Sequence, residues 1–336
     1  MKRIAVTMIG VALAGSVFAA PDWSKIPATK IPVFYPGQSG LEWILNKNDH
    51  TGSNKILDMK RPCLKCHDTD AVEIGNEIVA GKPVGKQRQS LDGAVPKGKV
   101  GSFPVSVQAA HDGNNIFLRF EWDAPSHGGN AMMMDTKNEM KLTVMFEDNK
   151  VELADRGGCW ATCHEDLRGM PDASDAAKNH SQARKFGWGD GVTKYIKESR
   201  TALELSGKPR GGWDKLKSED DIAAALIEGK FMDLIQYSSG KDEKAVDGYV
   251  LDSRHMGGGK SLIRTEGKKD GNHWTVLFVR SLAAGSPSDH TIAAGRLYNI
   301  GFAIHDDHAA GRFHHVSLGY TLGLDNAEAN FNAVKQ

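Results

Sequence analysis

The sequence predicts a mainly β protein, an antiparallel immunoglobulin-like β-sandwich with a helical insertion, preceded by a loop-and-helix segment. Strand-like patterns fall into two groups, and the stretch between the groups has helical signals. No alternation of strands with helices is visible, which argues against a doubly wound parallel sheet. The first part of the chain, up to about residue 100, has few periodic patterns and is rich in Pro and Lys.

The amino terminus has the pattern of a secretory signal peptide. Lys2 and Arg3 precede an apolar stretch over residues 4–18, and the small residues Ala19 and Ala20 follow it. We expect cleavage after Ala19, so that residues 1–19 form the signal peptide. A retained membrane anchor is the alternative, but the stretch is short, and no later stretch approaches the about 20 apolar residues that span a bilayer. The mature chain is therefore expected to lack a transmembrane segment.

The charges are balanced, with 42 Lys and Arg against 42 Asp and Glu. Removal of the signal peptide takes away Lys2 and Arg3 and leaves a formal net charge of −2. The chain has no cluster of basic residues of the kind that binds nucleic acid, and it has no long acidic tail. Hydrophobic residues make up 40% of the chain, which is enough for a substantial core.

Alternating apolar residues predict the strands. Residues 111–115 have turn composition between two such patterns and predict a hairpin. Helices are expected at 193–205 and 218–227, and the second begins with Ser218 as a cap residue followed by acids. The predicted strands cover residues 103–107, 116–122, 141–147, 248–251, 261–264, 273–280, 299–305 and 315–322.

The four cysteines carry the strongest functional signal, because each lies in a short motif that ends in histidine. One motif has the spacing C-x-x-C-H and the other has one additional residue between its cysteines. The first spacing is typical of c-type haem attachment, in which two thiols form thioethers and the histidine is an axial iron ligand. The motifs consist of Cys63, Cys66 and His67, and of Cys159, Cys163 and His164.

Other uses of these cysteines fit less well. A zinc site needs four ligands at a recognisable spacing, and a redox pair normally lies near a βαβ unit. A disulfide between Cys159 and Cys163 would span one helical turn, which is geometrically awkward. Two covalently attached haem c groups are therefore predicted, with His67 and His164 as the proximal ligands.

A six-coordinate haem also needs a distal ligand, usually Met or His. The chain has 13 His and 11 Met, so composition does not select one. We expect the distal ligands in two clusters, and His50, Met59, Met170 and His180 remain open because they lie close in sequence to a motif. The clusters are His255 with Met256, and His314 with His315.

Four stretches resemble the haem-binding domain of ethylbenzene dehydrogenase and dimethyl sulfide dehydrogenase gamma subunits and of related periplasmic multi-haem cytochromes. They lie at 107–123, 158–164, 274–280 and 298–304, and the resemblance extends over about 103–324. It implies an antiparallel β-sandwich that holds one haem. The gamma subunits are similar in fold but bind non-covalent haem b through Met and Lys, so a distal Lys stays open here. The segment with Cys63 lies outside the resemblance.

These observations predict a periplasmic diheme c-type cytochrome that transfers electrons and has no substrate chemistry. The expected partners are redox proteins, such as a quinol dehydrogenase, other cytochromes or a periplasmic oxidoreductase. The alternatives are a haem enzyme with one five-coordinate haem, of peroxidase, nitrogen-oxide or sulfur-compound type, and a gas or redox sensor. The expected divisions are the signal peptide, an N-terminal haem c segment at 20–100, the sandwich at 101–325 with its helical insertion at about 159–236, and a C-terminal tail at 326–336.

Overall fold

The structure is a computed structural model. It describes residues 20–37, 50, 52–82, 98–125, 139–162, 196–199, 204–205, 208–209, 216–305 and 314–336, of which the side chains in 159–162, 204–205 and 208–209 are left undescribed. The predicted signal peptide, residues 1–19, lies outside these ranges.

The described part of the chain is mainly β, with few helices. Short 3-10 turns form at Trp23–Lys25, Cys63–Lys65 and Lys197–Ser199. The helices are α1 Ser53–Met59, α2 Ala71–Val79, α3 Ala154–Thr162 and α4 Glu219–Ile227. The strands are β1 Thr29–Phe34, β2 Ser102–His111, β3 Asn115–Asp123, β4 Lys141–Glu147, β5 Glu204–Leu205, β6 Lys208–Pro209, β7 Met232–Ser238, β8 Lys244–Val250, β9 Arg254–His255, β10 Leu262–Asp270, β11 His273–Ser281, β12 Tyr298–His305, β13 His315–Val316, β14 Tyr320–Leu324 and β15 Phe331–Lys335.

Thirteen of the described strands form one sheet, which folds into two layers. The order β10-β11-β3-β2-β1 makes the first layer, and β13-β12-β4-β7-β8-β9 makes the second. The layers are joined where Phe34 of β1 pairs with Val316 of β13. They are joined again through β14, which pairs with β12, and β15, which pairs with β14 and β2. Nearly all pairings are antiparallel, but both pairings of β15 are parallel.

The β2–β3 hairpin shows how the local sequence sets this topology. The Asp112 Oδ1 accepts hydrogen bonds from the backbone N–H groups of Asn114 at 2.8 Å and Asn115 at 2.6 Å. Gly113 adopts a φ of 92°, which a residue without Cβ reaches at little cost. The hairpin predicted from residues 111–115 is confirmed, and β3, β4, β11 and β12 lie within one residue of their predicted bounds. β2, β8 and β10 are longer than predicted, and the strand predicted at 315–322 is divided into β13 and β14.

The two layers face each other across one apolar core. Phe120 of β3 packs edge-to-face against Phe302 of β12, with ring centroids 5.1 Å apart. The same interface contains a buried ion pair, in which the Arg280 guanidinium of β11 donates to the Asp233 carboxylate of β7 at 2.5 Å. Arg280 also lies over the Phe146 ring, 4.8 Å from its centroid. Facing layers of this kind agree with the coarse prediction of a β protein with an antiparallel sheet.

Both ends of the predicted β domain need correction. β1 lies in the segment assigned to loops and helices, yet it pairs with β2 from Thr29 opposite Val107 to Phe34 opposite Ser102. The predicted C-terminal tail, 326–336, contains β15, which is part of the sheet. Strand pairing between distant segments therefore extends the sheet at both ends.

The predicted helical insertion, about 159–236, is only partly helical in its described residues. α4 is confirmed, and the Ser218 Oγ accepts a hydrogen bond from the Asp221 N–H as its cap. The helix expected at 193–205 is wrong in its described part, which holds the turn Lys197–Ser199 and the two-residue strand β5. β7 begins at Met232, inside the expected insertion, and is a central strand of the second layer.

Candidate haem site

The first cysteine motif lies on a compact turn between α1 and α2. The carbonyl oxygen of Cys63 accepts hydrogen bonds from the backbone N–H of Cys66 at 3.1 Å and from that of His67 at 3.0 Å. The motif residues are therefore held together by their own backbone. This local closure brings two thiols and one imidazole to the same turn, as covalent haem attachment requires.

The His67 ring is oriented by a neighbouring carboxylate. Its Nδ1–H donates a hydrogen bond of 2.9 Å to the Asp70 Oδ1, and Asp70 is the cap residue of α2. Such a contact fixes the tautomer, so that Nε2 carries the lone pair that a metal would use. The sequence reasoning missed Asp70, although its position three residues after His67 at a helix start was visible in the chain.

The two thiols of the motif have different surroundings. Cys63 is 6% exposed and belongs to the main apolar core, whereas Cys66 is exposed. Burial raises the pKa of the Cys63 thiol to about 12, because the thiolate would lose its hydration. A thioether carries no ionisable proton, so covalent attachment suits this buried position. The donor set of this turn fits haem c.

A second histidine lies beside the first motif. The ring centroids of His50 and His67 are 6.0 Å apart, with an angle of 30° between the ring planes. The carbonyl oxygen of His50 accepts a hydrogen bond of 3.0 Å from the Ser53 N–H at the start of α1. The backbone of His50 is thus tied to α1, the helix that precedes the turn in the chain.

The second motif begins on α3, the helix that follows β4. Cys159 is part of α3, while Cys163 and His164 lie outside the described residues. The helix is kinked at Gly158, whose φ of 63° and ψ of −159° are non-helical. A Cβ at this position would lie 2.6 Å from the Gly319 Cα, so only glycine fits between α3 and the chain before β14.

The elements that carry the two motifs touch each other. α3 packs against the turn Cys63–Lys65, and the Arg156 guanidinium of α3 donates a hydrogen bond of 3.2 Å to the Ile56 carbonyl oxygen of α1. An open cleft separates the two elements next to this contact. Its lining includes Pro62, Leu64 and Lys65 from the first motif, Ala154 and Asp155 from α3, and Tyr320 from β14.

His255 and Met256, one predicted pair of distal-ligand candidates, lie at the outer edge of the second layer. The His255 ring stacks on Tyr249 at 4.3 Å, and its Nε2 lies 2.6 Å from the Asp252 Oδ1. Met256 is 46% exposed. The structure places neither residue in the cleft beside the first motif.

His314 and His315, the other predicted pair, point to different partners. The His315 Nε2–H donates to the Val100 carbonyl oxygen at 2.7 Å, and the Lys99 ammonium donates to its Nδ1 at 3.4 Å. Both ring nitrogens of His315 are thus engaged by the protein. His314 stacks on His305 with ring centroids 4.5 Å apart. The distal-ligand predictions stay predictions, and the structure gives His315 no support.

The fold and the site together define a mainly β protein in which a turn carrying a C-x-x-C-H motif packs beside the sheet. The chain belongs to the family described as Ethylbenzene dehydrogenase, whose model matches residues 20–270 and 253–317. The match begins before the first motif, so the resemblance is wider than the expected 103–324 and includes Cys63, Cys66 and His67.

Two relatives match over nearly the whole chain. Cytochrome c-552 from Stutzerimonas stutzeri is 39% identical over 100% of this chain and 99% of its own length. Cytochrome c-551 from Rhodocyclus tenuis is 33% identical over 94% of this chain and 100% of its own length. The chain is therefore homologous to cytochromes c, and this homology implies haem c as its cofactor.

Among solved structures, a family 9 carbohydrate-binding module from Caldicellulosiruptor kristjanssonii covers 69% of this chain and 73% of its own, with a TM-score of 0.26 and 8% identity. A likeness this weak says nothing of ligand or function. Within the described ranges, no helix is long and apolar enough to cross a bilayer.

Proposed function

We propose that this chain is a diheme c-type cytochrome that carries electrons between partner proteins. The main support is the contact between the two elements that carry the cysteine motifs, in which α3 packs against the turn Cys63–Lys65. Haem groups attached to touching elements would lie near each other, and electron transfer between haems requires proximity. The homology to cytochromes c supports the same function.

The residues of the first motif account for how one haem would be held. Bound haem supplies an iron that accepts and releases one electron. Cys63 and Cys66 would anchor the macrocycle, and Asp70 takes the Nδ1–H of His67 so that Nε2 would be available to the iron. Because Cys63 is buried in the core, its thioether would fix one edge of the haem relative to the sheet.

The second haem is assigned to the β domain on the strength of the sequence motif. We propose that Cys159, Cys163 and His164 attach it, and that its pocket belongs to an immunoglobulin-like sandwich as the family resemblance implies. The Gly158 kink supports this assignment, because it turns the chain just before Cys159.

The cellular place and partners of the chain are also proposals. Lys2, Arg3 and the apolar residues 4–18 support export to the periplasm, where thioether attachment of haem takes place. The proposed partners are a quinol dehydrogenase, other cytochromes or a periplasmic oxidoreductase. Mass spectrometry of the purified protein should give a chain that begins at Ala20, and a chain that retains residue 1 would contradict export with cleavage.

Haem quantitation tests the main proposal. The pyridine haemochrome spectrum of the purified full-length protein should give two haem c groups per chain. A value of one would refute the diheme assignment, and the Cys63→Ser/Cys66→Ser variant would then show which motif is used.

Carbon monoxide separates an electron carrier from a haem enzyme. We expect no rapid carbon monoxide binding to the reduced protein, because both irons have two protein ligands. Binding of one equivalent per chain would identify a five-coordinate haem and would favour the enzyme alternative. Myoglobin, whose ferrous haem binds the gas, serves as the positive control.

A further inference from the structure

We propose that His50 is the distal iron ligand of the haem attached at Cys63, Cys66 and His67. This assignment rests on the proposed function, since it requires a haem at the first motif. It selects one of the residues that the sequence left open as distal-ligand candidates.

The distance between the two histidine rings carries the assignment. Their centroids are 6.0 Å apart. Two imidazoles bound to one metal from opposite sides, with metal–nitrogen bonds of about 2 Å, have centroids about 6.3 Å apart. Face-to-face contact would bring the rings much closer, as His305 and His314 show at 4.5 Å.

The chain holds each histidine from a different helix. Asp70 at the start of α2 takes the Nδ1–H of His67 and leaves its Nε2 for the metal. The carbonyl oxygen of His50 accepts a hydrogen bond from the N–H of Ser53, the first residue of α1. α1 precedes the cysteine turn in the chain and α2 follows it, so the two rings are held by separate elements.

Gly52 controls the position of the His50 ring. A Cβ at residue 52 would lie 2.8 Å from both Cε1 and Nε2 of His50. The φ of Gly52 is −66°, which alanine adopts without strain. A methyl group at this position would therefore move the ring while leaving the backbone intact, which gives a second variant independent of His50 itself.

The other candidates fit this haem less well. His315 has both nitrogens bonded to protein groups, and the Nε2 of His255 lies close to Asp252 on the far edge of the sheet. Met59, at the end of α1, is 57% exposed. Of these residues, His255 serves as the control in the test.

The experiment uses the full-length haem-loaded protein and a His50→Ala variant. We expect an unchanged haem count in the pyridine haemochrome assay, conversion of about half of the low-spin electron paramagnetic resonance signal to high-spin, and binding of one carbon monoxide per chain after reduction. Added imidazole should restore the low-spin signal, because it replaces the missing ligand, whereas it would not repair a structural defect. Gly52→Ala should give a partial conversion of the same kind.

His255→Ala is the matched control, since it removes another partly exposed histidine, one that lies away from the first motif. It should leave the spin state of the first haem unchanged in the Cys159→Ser/Cys163→Ser background. If His50→Ala keeps two low-spin haems and binds no carbon monoxide, the two rings are an ordinary aromatic pair and the assignment is overturned. A wild-type protein without haem at Cys63 and Cys66 would instead overturn the proposed function, and the haem count distinguishes these two failures.

Discussion

The two cysteine motifs are held in place in different ways. The first lies on a turn closed by its own backbone, with Cys63 accepting the hydrogen bonds of Cys66 and His67. The second begins on a helix whose direction depends on Gly158 passing next to Gly319, far along the chain. The geometry of the first motif is therefore local, while that of the second depends on completion of the sheet.

Removal of each cysteine pair should have the largest effect and should separate the two sites. We expect Cys63→Ser/Cys66→Ser and Cys159→Ser/Cys163→Ser each to lower the haem count from two per chain to one. The remaining haem should keep its visible spectrum if the sites form independently. Pyridine haemochrome quantitation and reduced-minus-oxidised spectra measure both quantities, and loss of both haems from either variant would show that one site depends on the other.

The buried ion pair between the layers should matter mainly for the β domain. Burial raises the pKa of Asp233, and the Arg280 charge opposes this shift. The Asp233 carboxylate also lies within 4.8 Å of those of Asp247 and Asp289. Arg280→Met should lower the free energy of unfolding by about 3–5 kcal/mol, because it leaves a buried charge without its partner.

Urea unfolding followed by circular dichroism measures this loss. The double variant Arg280→Met/Asp233→Leu is the control, since it removes both charges and should recover much of the stability. A single variant as stable as the wild type would mean that Asp233 is protonated in the fold.

Gly158→Ala tests the dependence of the second motif on the sheet. The backbone conformation at Gly158 is one that only glycine adopts readily, and alanine there should cost about 1–3 kcal/mol in strain. Gly113→Ala is the control, because its φ of 92° is also positive but no atom lies within 4 Å of its Cβ position. We expect Gly158→Ala to lower the occupancy of one haem and Gly113→Ala to leave both. Equal haem contents in the Gly158→Ala and Gly113→Ala variants would contradict the proposed role of the kink.

The last prediction concerns the acid stability of the second layer. Burial lowers the pKa of His290 to about 4, and the ring stacks on Phe231 at 4.2 Å. Asp148, Arg280 and Lys150 are the charged groups that act on it. Since the unfolded chain binds this proton below about pH 6.5 and the folded chain does not, unfolding free energy should fall with decreasing pH, by at most about 1.4 kcal/mol per unit.

His290→Phe keeps the stacked ring and removes the titrating group. Its unfolding free energy, measured by linear extrapolation of urea unfolding between pH 4.5 and 7, should depend less on pH than that of the wild type. Parallel profiles for the two proteins would contradict a neutral buried His290.

Much of the fold was predictable because its strands alternate locally. β2, β3, β4, β11 and β12 were all found from such patterns. β1 was missed because Pro32, which cannot donate to a ladder, argues against a strand and is placed opposite Pro104 in the structure. β7 was missed because all its residues are buried, Asp233 and Gln236 included, so no alternation marks it.

Only the part of the candidate site that is defined by the spacing of its residues could be predicted from the sequence. Cys63, Cys66 and His67 follow from the motif alone. The distance between His50 and His67 depends on how α1 and α2 fold around the turn, and no residue pattern reports it. The contact of Asp70 with His67 had a weak signal in the sequence, because Asp70 lies three residues after His67. The contact between α3 and the turn had no such signal.

The position of β15 at the end of the chain means that the sheet is completed after both cysteine motifs have been synthesised. Its last pairs align Val334 with Ala110 and Lys335 with His111, so β2 stays without this neighbour until the final residues are made. Pairing across such sequence separations is slow. Both cysteine motifs are complete long before that strand exists, which leaves an interval in which an attachment enzyme would meet accessible thiols. Cys63, later enclosed in the core, is the residue for which this interval matters most.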